Sequence, residues 1–244
     1  MVDVTRARSF EGIGEEYDLY RPGFPERAAD IIVSESVVTV LDLGAGTGKF
    51  TSLLVGRASR VIAVEPSAPM LAVLARNLPT VSAQPGTAER IPVPDGSVDA
   101  VSVAQAFHWF DRDAASAEIA RVLVPGGALG LLWNRADPAC AWDLACHRVA
   151  HPAVDAADET SASAAELPGF VLEAHEEVHW TERITREAYL RRWGTVSSFL
   201  VADDAERAAM EASLEAVLDG ADETRGKADF DLPHLTDVFR YRRA

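Results

Sequence analysis

Short apolar runs alternate with segments of helical spacing through the first 135 residues. Glu26 to Ser36 places its apolar residues at helical intervals, with Pro25 positioned to start a helix. Val37 to Leu43 is apolar, rich in β-branched residues and followed by glycines, which predicts a buried parallel strand. Lys49 to Arg57 predicts a helix, Val61 to Glu65 a second strand, Pro69 to Asn77 a helix, and Thr80 to Gln84 a shorter third strand. Asp95-Gly96 is a turn signal, and Val98 to Gln105 predicts a fourth strand. Asp113 to Leu123 predicts a helix closed by Pro125-Gly126-Gly127, and Leu129 to Trp133 a fifth strand. The alternation predicts an α/β fold with a doubly wound, mostly parallel sheet. Ligands of such sheets bind at the carboxyl ends of the strands, here just after Leu43, Val64, Gln84, Gln105 and Trp133.

The pattern loosens after Arg135. Ala136 to Ala165 is rich in Ala, Asp and Ser and predicts helix with a mobile stretch near Asp155 to Ser163. Glu176 to Ile184 and Thr236 to Arg243 alternate as strands, while Arg186 to Trp193 and Ala205 to Leu218 have helical spacing. The segment from Arg135 to about Leu200 is expected to form a partly helical cap over the carboxyl edge.

Composition narrows the function classes. The chain has 244 residues and a net charge of -15, so its surface on the whole repels a phosphate backbone, and nucleic acid is not an expected partner. A local basic patch for an anionic small substrate is compatible with Arg191-Arg192 and with Arg240, Arg242 and Arg243. Cys140 and Cys146 make neither a disulfide framework nor a zinc-type pair. The segment Met1 to Phe10 is polar, no apolar run has the length of a membrane span, and a cytoplasmic protein, monomer or homodimer, is expected.

The candidate chemistry begins at Val40-Leu41-Asp42-Leu43-Gly44-Ala45-Gly46-Thr47-Gly48, a strand running through glycines into a helix. Glycines there permit positive φ and close approach of backbone to a ligand. A Walker loop needs GxxxxGK followed by Ser or Thr, but Lys49 is followed by Phe50 and position 43 is Leu. A dinucleotide loop needs GxGxxG, but the spacing here is GxGxG, with Lys49 in the place of the third glycine. Asp42 would oppose a pyrophosphate and suits a sulfonium ligand that also carries an ammonium group. Glu65 closes the second strand, where a carboxylate can accept both ribose hydroxyls; the alternative is a solvated charge. Gly86-Thr87-Ala88-Glu89 follows the third strand, beside the expected adenine ring or as a simple turn.

Together these features resemble the class I S-adenosylmethionine-dependent methyltransferases, and within them the group that includes ubiquinone/menaquinone-biosynthesis and trans-aconitate methyltransferases. The resemblance rests on Val40 to Thr51, Glu65, Gly86 to Glu89, Pro94-Asp95-Gly96-Ser97-Val98-Asp99 and Arg121-Val122-Leu123-Val124-Pro125-Gly126-Gly127. Tyr20-Arg21-Pro22-Gly23-Phe24-Pro25 and Ala104-Gln105-Ala106-Phe107-His108-Trp109-Phe110 point toward the trans-aconitate-like branch. Thr87 departs from the Asp that many relatives carry. The resemblance implies S-adenosyl-L-methionine as cofactor and a small-molecule methyl acceptor. It implies a lid and first helix over 1–36, a cofactor-binding core over 37–135, and a cap or substrate segment over 136–244 whose last hairpin completes a seven-stranded sheet. Tyr20, Arg21, Asp42, Gly44, Ala45, Gly46, Glu65, Pro66, Thr87, Ala88, Glu89 and Gln105 are the expected cofactor-binding residues.

His108, just past the fourth strand, is the candidate base; it could equally shape the pocket. Tyr17, Phe107, Trp109, Trp133, Asn134 and Trp193 are candidate substrate residues, with Phe110, Trp142, Ser197, Ser198 and Phe199 behind them; for the aromatics the alternative is core packing. No metal site is expected, because His147 and His151, and His175 and His179, lack a third ligand and HExxH is absent. The aromatics favour a natural-product phenol or amine as acceptor, while a carboxylate acceptor such as trans-aconitate would demand arginines; O-methylation is expected first, with N- and C-methylation open. A non-methylating, cyclase-like use of the same cofactor and a nicotinamide oxidoreductase are the alternatives.

Overall fold

A computed structural model describes residues 18–34, 36–150 and 166–244. The sheet strands are β1 (Thr39–Leu43), β2 (Arg60–Glu65), β3 (Ser82–Pro85), β4 (Val98–Ala104), β5 (Leu123–Ala136), β6 (Phe170–Thr185) and β7 (Asp229–Arg243). The helices are α1 (Glu26–Ile32), α2 (Thr51–Leu54), α3 (Ala68–Asn77), α4 (Arg112–Val122), α5 (Ala141–Ala150), α6 (Arg186–Trp193), α7 (Ser197–Val201) and α8 (Asp204–Gly220). The strand order is β3-β2-β1-β4-β5-β7-β6. The first five strands are parallel, and β7 runs antiparallel between β5 and β6.

Alternation along the strands builds two cores. Leu41, Ile62, Val64, Val101, Val103, Leu129 and Leu131 face one side and pack with Ala115, Ile119 and Val122 of α4. Val40, Val61, Ala63, Ala100 and Leu132 face the other and pack with Ala28, Ala29 and Ile32 of α1. Helix α1 lies so close to the sheet that a Cβ on Gly130 would sit 2.2 Å from Ile32 Cδ1. Glycine at 130 is therefore what lets the first helix dock.

Three elements differ from the sequence pattern, each for a local reason. The helix expected over Lys49 to Arg57 is confined to Thr51–Leu54, because Gly56 turns at φ 86° and Val55 bridges to Ala58. Pro125-Gly126-Gly127 does not precede the fifth strand but bulges within it: Val98 pairs with Leu123, then Ala100 with Ala128. The hairpin strands are longer than their alternation suggests. Pro233 hides the start of β7, but it lies past the last β5 pair, Ala136 with His234, where β7 has only β6 beside it.

A third core lies beyond the parallel strands. Trp142 and Cys146 of α5, Tyr189 and Trp193 of α6, Phe199 of α7 and Leu214 and Leu218 of α8 pack on Ile184, Phe230 and Leu232 at the far end of the hairpin. The long hairpin thus carries the helical cap. The expected mobile stretch near Asp155 to Ser163 lies outside the described residues.

Candidate active site

A cavity of about 440 Å³ opens at the carboxyl ends of β1, β2, β4 and β5. Its size is that of a site for a whole nucleoside-type ligand. Gly44, Ala45, Gly46, Asp42, Glu65 and Pro66 line it, as does Thr47. Gly44 and Gly46 adopt φ of 69° and 57°, and the Gly44 N–H donates to the Val64 carbonyl at 2.8 Å. A Cβ on Gly44 would lie 2.7 Å from Ala106 Cβ, so the loop seats against the segment after β4 only with glycine there.

Both expected carboxylates are held by short hydrogen bonds. Asp42 accepts from the hydroxyls of Thr51 at 2.6 Å and Ser102 at 2.7 Å. Burial pushes its pKa up from 3.8 to about 6 against those bonds. Glu65 accepts from the N–H groups of Gly46 at 2.9 Å and Ser67 at 2.8 Å, and burial raises its pKa too. One carboxylate therefore shapes the glycine loop and the turn after β2 together. Thr51 and Ser102 had no signal of their own in the sequence.

The turn after β3 stands elsewhere. Thr87, Ala88 and Glu89 are outside the lining residues. The Ala88 side chain lies in the core beside Ile91, and Glu89 accepts from the Asp111 N–H at 3.1 Å.

The segment after β4 contributes Gln105, Ala106, His108, Trp109 and Phe110 to the wall. Gln105 has a φ of 55°, the one positive φ at a non-glycine among the described residues, and its side-chain amide donates to the Asn134 carbonyl at 2.9 Å. Asn134 in turn donates to the Gly23 carbonyl at 2.8 Å and accepts from Thr236 Oγ1 at 2.6 Å. The lid segment is thereby tied to β5 and β7. Phe107 and Trp133 are 2% and 1% exposed and pack in the sheet core. That is the packing alternative for both rings. Trp133 still reaches the site through its indole N–H, which donates to His108 Nδ1 over a long 3.4 Å. A His108 ring that accepts this bond at Nδ1 carries its hydrogen on Nε2 when neutral.

A second cavity, about 110 Å³, abuts the first under the helical cap. Arg21, Pro22, Gln105 and Asn134 line both. Its other walls include Asp143 and His147 of α5 and Tyr189, Arg192 and Trp193 of α6. Trp193 is thus both cap core and cavity wall, whereas Trp142 and Phe199 belong to the cap core. Arg21 donates to the Thr195 carbonyl at 2.9 Å. Arg192 donates to the Tyr20 carbonyl and to both oxygens of Glu182, each at 2.8 Å. Tyr20 is thereby strapped to α6 and Arg21 to the turn that follows it. Tyr17 and His151 lie outside the described residues. His175 pairs with Asp237 of β7 and His179 with Asp137 just after β5, each at 3.0 Å, so both side chains are engaged by carboxylates.

Comparison with known proteins agrees with this geometry. Residues 41–131 match the family model of a methyltransferase domain. An uncharacterized methyltransferase of Mycobacterium tuberculosis is 51% identical over 134 residues, 55% of each chain. The chain thus spans about half the length of the curated relatives it matches. A solved structure of a candidate type II methyltransferase from Anaeromyxobacter dehalogenans aligns with a TM-score of 0.69 at 25% identity, covering 92% of this chain and 98% of that one. A [4+2]-cyclase shares the fold at 18% identity and a TM-score of 0.54, covering 96% of each chain. No helix among the described residues is long and apolar enough to cross a membrane. Residues 41–131 therefore form a methyltransferase domain, and the chain has the fold of the class I S-adenosylmethionine-dependent methyltransferases.

Proposed function

We propose that this chain transfers the methyl group of S-adenosyl-L-methionine to an oxygen of a small molecule. The observation that carries the reading is the pairing of Asp42 and Glu65 in one cavity beside a glycine loop open enough to admit a nucleoside. Two carboxylates at that edge favour a ligand with a sulfonium and an ammonium and disfavour a pyrophosphate. Gly44 to Gly46 and Glu65 would hold the nucleoside part, and Asp42 would supply the counter-charge. When bound, the cofactor supplies an activated methyl group, so the protein's own work is alignment and exclusion of water.

The chain's residues fit that work. Gln105 and Asn134 form the joint between the cofactor cavity and the smaller one. The Arg192 and Asn134 bonds hold the segment from Tyr20 to Gly23 across the entrance side of the cap and the sheet. His108, donating from Nε2, would orient an acceptor oxygen without deprotonating it, which suits an acceptor already ionised at neutral pH.

Calorimetry of the full chain with S-adenosylhomocysteine and with NADH tests the ligand class, and a labelled-methyl assay tests transfer. Micromolar binding of the nucleoside with none of NADH is expected. Preferential NADH binding would overturn the reading in favour of an oxidoreductase. Tight nucleoside binding with S-adenosylmethionine returned unchanged by every acceptor would move it to the cyclase-like alternative, which the shared fold of a [4+2]-cyclase keeps in view.

A further inference from the structure

We propose that Glu182 and Arg192 form a latch on the strap of chain from Asp18 to Phe24, and that opening of this latch sets the rate at which the spent cofactor, S-adenosylhomocysteine, leaves. The proposal rests on the methyltransferase reading and adds to it the two residues that govern release.

Arg21, Pro22 and Phe24 line the larger cavity, and every other lining residue lies at the carboxyl end of β1, β2, β4 or β5 or in the segment that directly follows. Among the described residues the strap is thus the one part of the wall that can lift while the sheet stays whole. Its root is fixed. Helix α1 starts just behind Pro25 and docks Ile32 against Gly130, and Phe24 packs edge-on against Phe50 with ring centroids 5.3 Å apart. From that root the strap crosses the cavity. The Gly23 carbonyl accepts from Asn134 of β5 and the Tyr20 carbonyl from Arg192 of α6. Asp18 accepts from Asn77 of α3 at 3.2 Å and stands 3.9 Å from Lys49. One end is held from the cap and the other from the side of the glycine loop.

The two holds differ in kind. The Asp18 contacts are long and partly exposed, and such contacts contribute little. Arg192 is 7% exposed; its Nε donates to Tyr20 and one terminal nitrogen donates to both oxygens of Glu182. Glu182 also accepts from His234 Nε2 at 2.9 Å. The hairpin register brings these groups together: Trp180 pairs with His234 and Glu182 with Leu232, so Glu182 and His234 sit diagonally on one face. Trp180 stacks on the imidazole, centroids 4.4 Å apart, and fixes its plane. Burial works to raise the Glu182 pKa, but the His234 bond and the Arg192 charge outweigh it and hold the carboxyl below its usual range. An ionised Glu182 therefore aims the guanidinium, and a charge-assisted bond out of water holds Tyr20. The second cap-side hold passes through the same residue. Arg21 donates to the Thr195 carbonyl, and Thr195 donates its N–H at 3.1 Å and its hydroxyl at 2.7 Å to the Arg192 carbonyl. Glu182 lines neither cavity, so it is a positioning residue that acts through Arg192.

The full chain is loaded with tritiated S-adenosylhomocysteine, chased with an excess of unlabelled compound, and the retained label is followed in time. Glu182→Gln keeps the shape and removes the charge, and is expected to release label faster by about fivefold or more. Arg192→Lys keeps the charge but cannot span Tyr20 and Glu182 together; it is expected to do the same, and it serves alone should Glu182→Gln fail to fold. Thr236→Val controls for loosened packing, and its release rate is expected to stay within about twofold. Hydrogen exchange of the loaded chain adds a readout that general destabilisation does not give: in Glu182→Gln the amides of residues 20–24 lose protection and those of residues 44–48 keep it. An unchanged release rate in either latch variant that folds, or equal acceleration in Thr236→Val, overturns the latch and leaves the methyltransferase reading standing. So does protection lost at residues 44–48 and kept at 20–24, which would put the effect in the glycine loop. Failure of the unsubstituted chain to bind S-adenosylhomocysteine overturns the reading beneath the proposal.

Discussion

The two cavities are built on opposite plans. The larger is made by neighbours in sequence: Asp42, Gly44, Ala45, Gly46 and Thr47 follow one another off β1, and Glu65, Pro66 and Ser67 off β2. Its two carboxylates are satisfied, Asp42 by Thr51 and, from β4, Ser102, and Glu65 by Gly46 and Ser67, while the buried Thr47 hydroxyl has no hydrogen-bond partner. The smaller cavity is made by distant segments, with Arg21 bonded to Thr195 and Arg192 to Tyr20, and it leaves a buried indole N–H unpaired. The first plan gives a site rigid in its ligand class; the second gives a site whose contents change when any of several segments changes.

Gly44→Ala strikes the first plan hardest. The new Cβ meets Ala106 at 2.7 Å with φ at +69°, so strain and overlap together should cost a few kcal/mol, roughly a hundredfold in nucleoside affinity. Calorimetry with S-adenosylhomocysteine reads this directly, and an unchanged Kd would break the distinction drawn above. Glu65→Gln should come next. Its amide can satisfy one of the two N–H donors but turns an N–H₂ toward the other, a loss of roughly tenfold or more in affinity.

Asp42 sharpens the contrast through pH. Its folded pKa, about 6, stands above its ordinary 3.8, so the folded chain holds this proton more tightly than the unfolded chain does. The stability this contributes is full below about pH 4 and is lost as pH rises through about 6, a swing on the order of 3 kcal/mol at most. Affinity for a cationic ligand runs the other way, since it needs Asp42 ionised. Denaturant midpoints and S-adenosylmethionine titrations at pH 5 and 7.5, each compared with Asp42→Asn, should move in opposite directions. The same sign for both would remove Asp42 as the counter-charge.

The smallest effect is expected at the joint. Thr236 is buried, donates to Asn134 and accepts from the Trp180 indole at 2.9 Å. Thr236→Val should lose about 1–2 kcal/mol of stability, because it strands the indole N–H and frees one oxygen of Asn134. Nucleoside affinity should hardly move; a loss as large as that of Gly44→Ala would mean that one network serves both cavities.

What could be read in advance follows the same division. The doubly wound sheet and the glycine loop were legible, because consecutive residues repeat with strand and helix periods and the GxGxG spacing sits at a strand end. The hairpin was legible only in outline, since Pro233 and charged residues interrupt the alternation of β7. Asp143, His147, Tyr189 and Thr195 were not legible as a group: nothing local marks a residue whose role depends on a partner far along the chain, as Thr195 depends on Arg21 174 positions away. The adjacent pair Arg191-Arg192 was the one hint, and only the second of the two turns inward; Arg191 pairs with Glu187 in solvent. Phe107 and Trp133 pointed toward an aromatic acceptor for as long as their burial was unknown.

The place of β7 sets an order on how the molecule can be assembled. Among the described residues strand β6 has no sheet neighbour except β7, and β5 has β7 along the edge that β4 does not cover. Until residues Asp229–Arg243 have been synthesised, β5 exposes an open edge and β6 has nothing to join, although both precede β7 in the chain. A nascent chain on the ribosome can therefore complete the glycine-loop half early, but it must carry an unfinished, pairing-competent edge until β7 slides between two older strands.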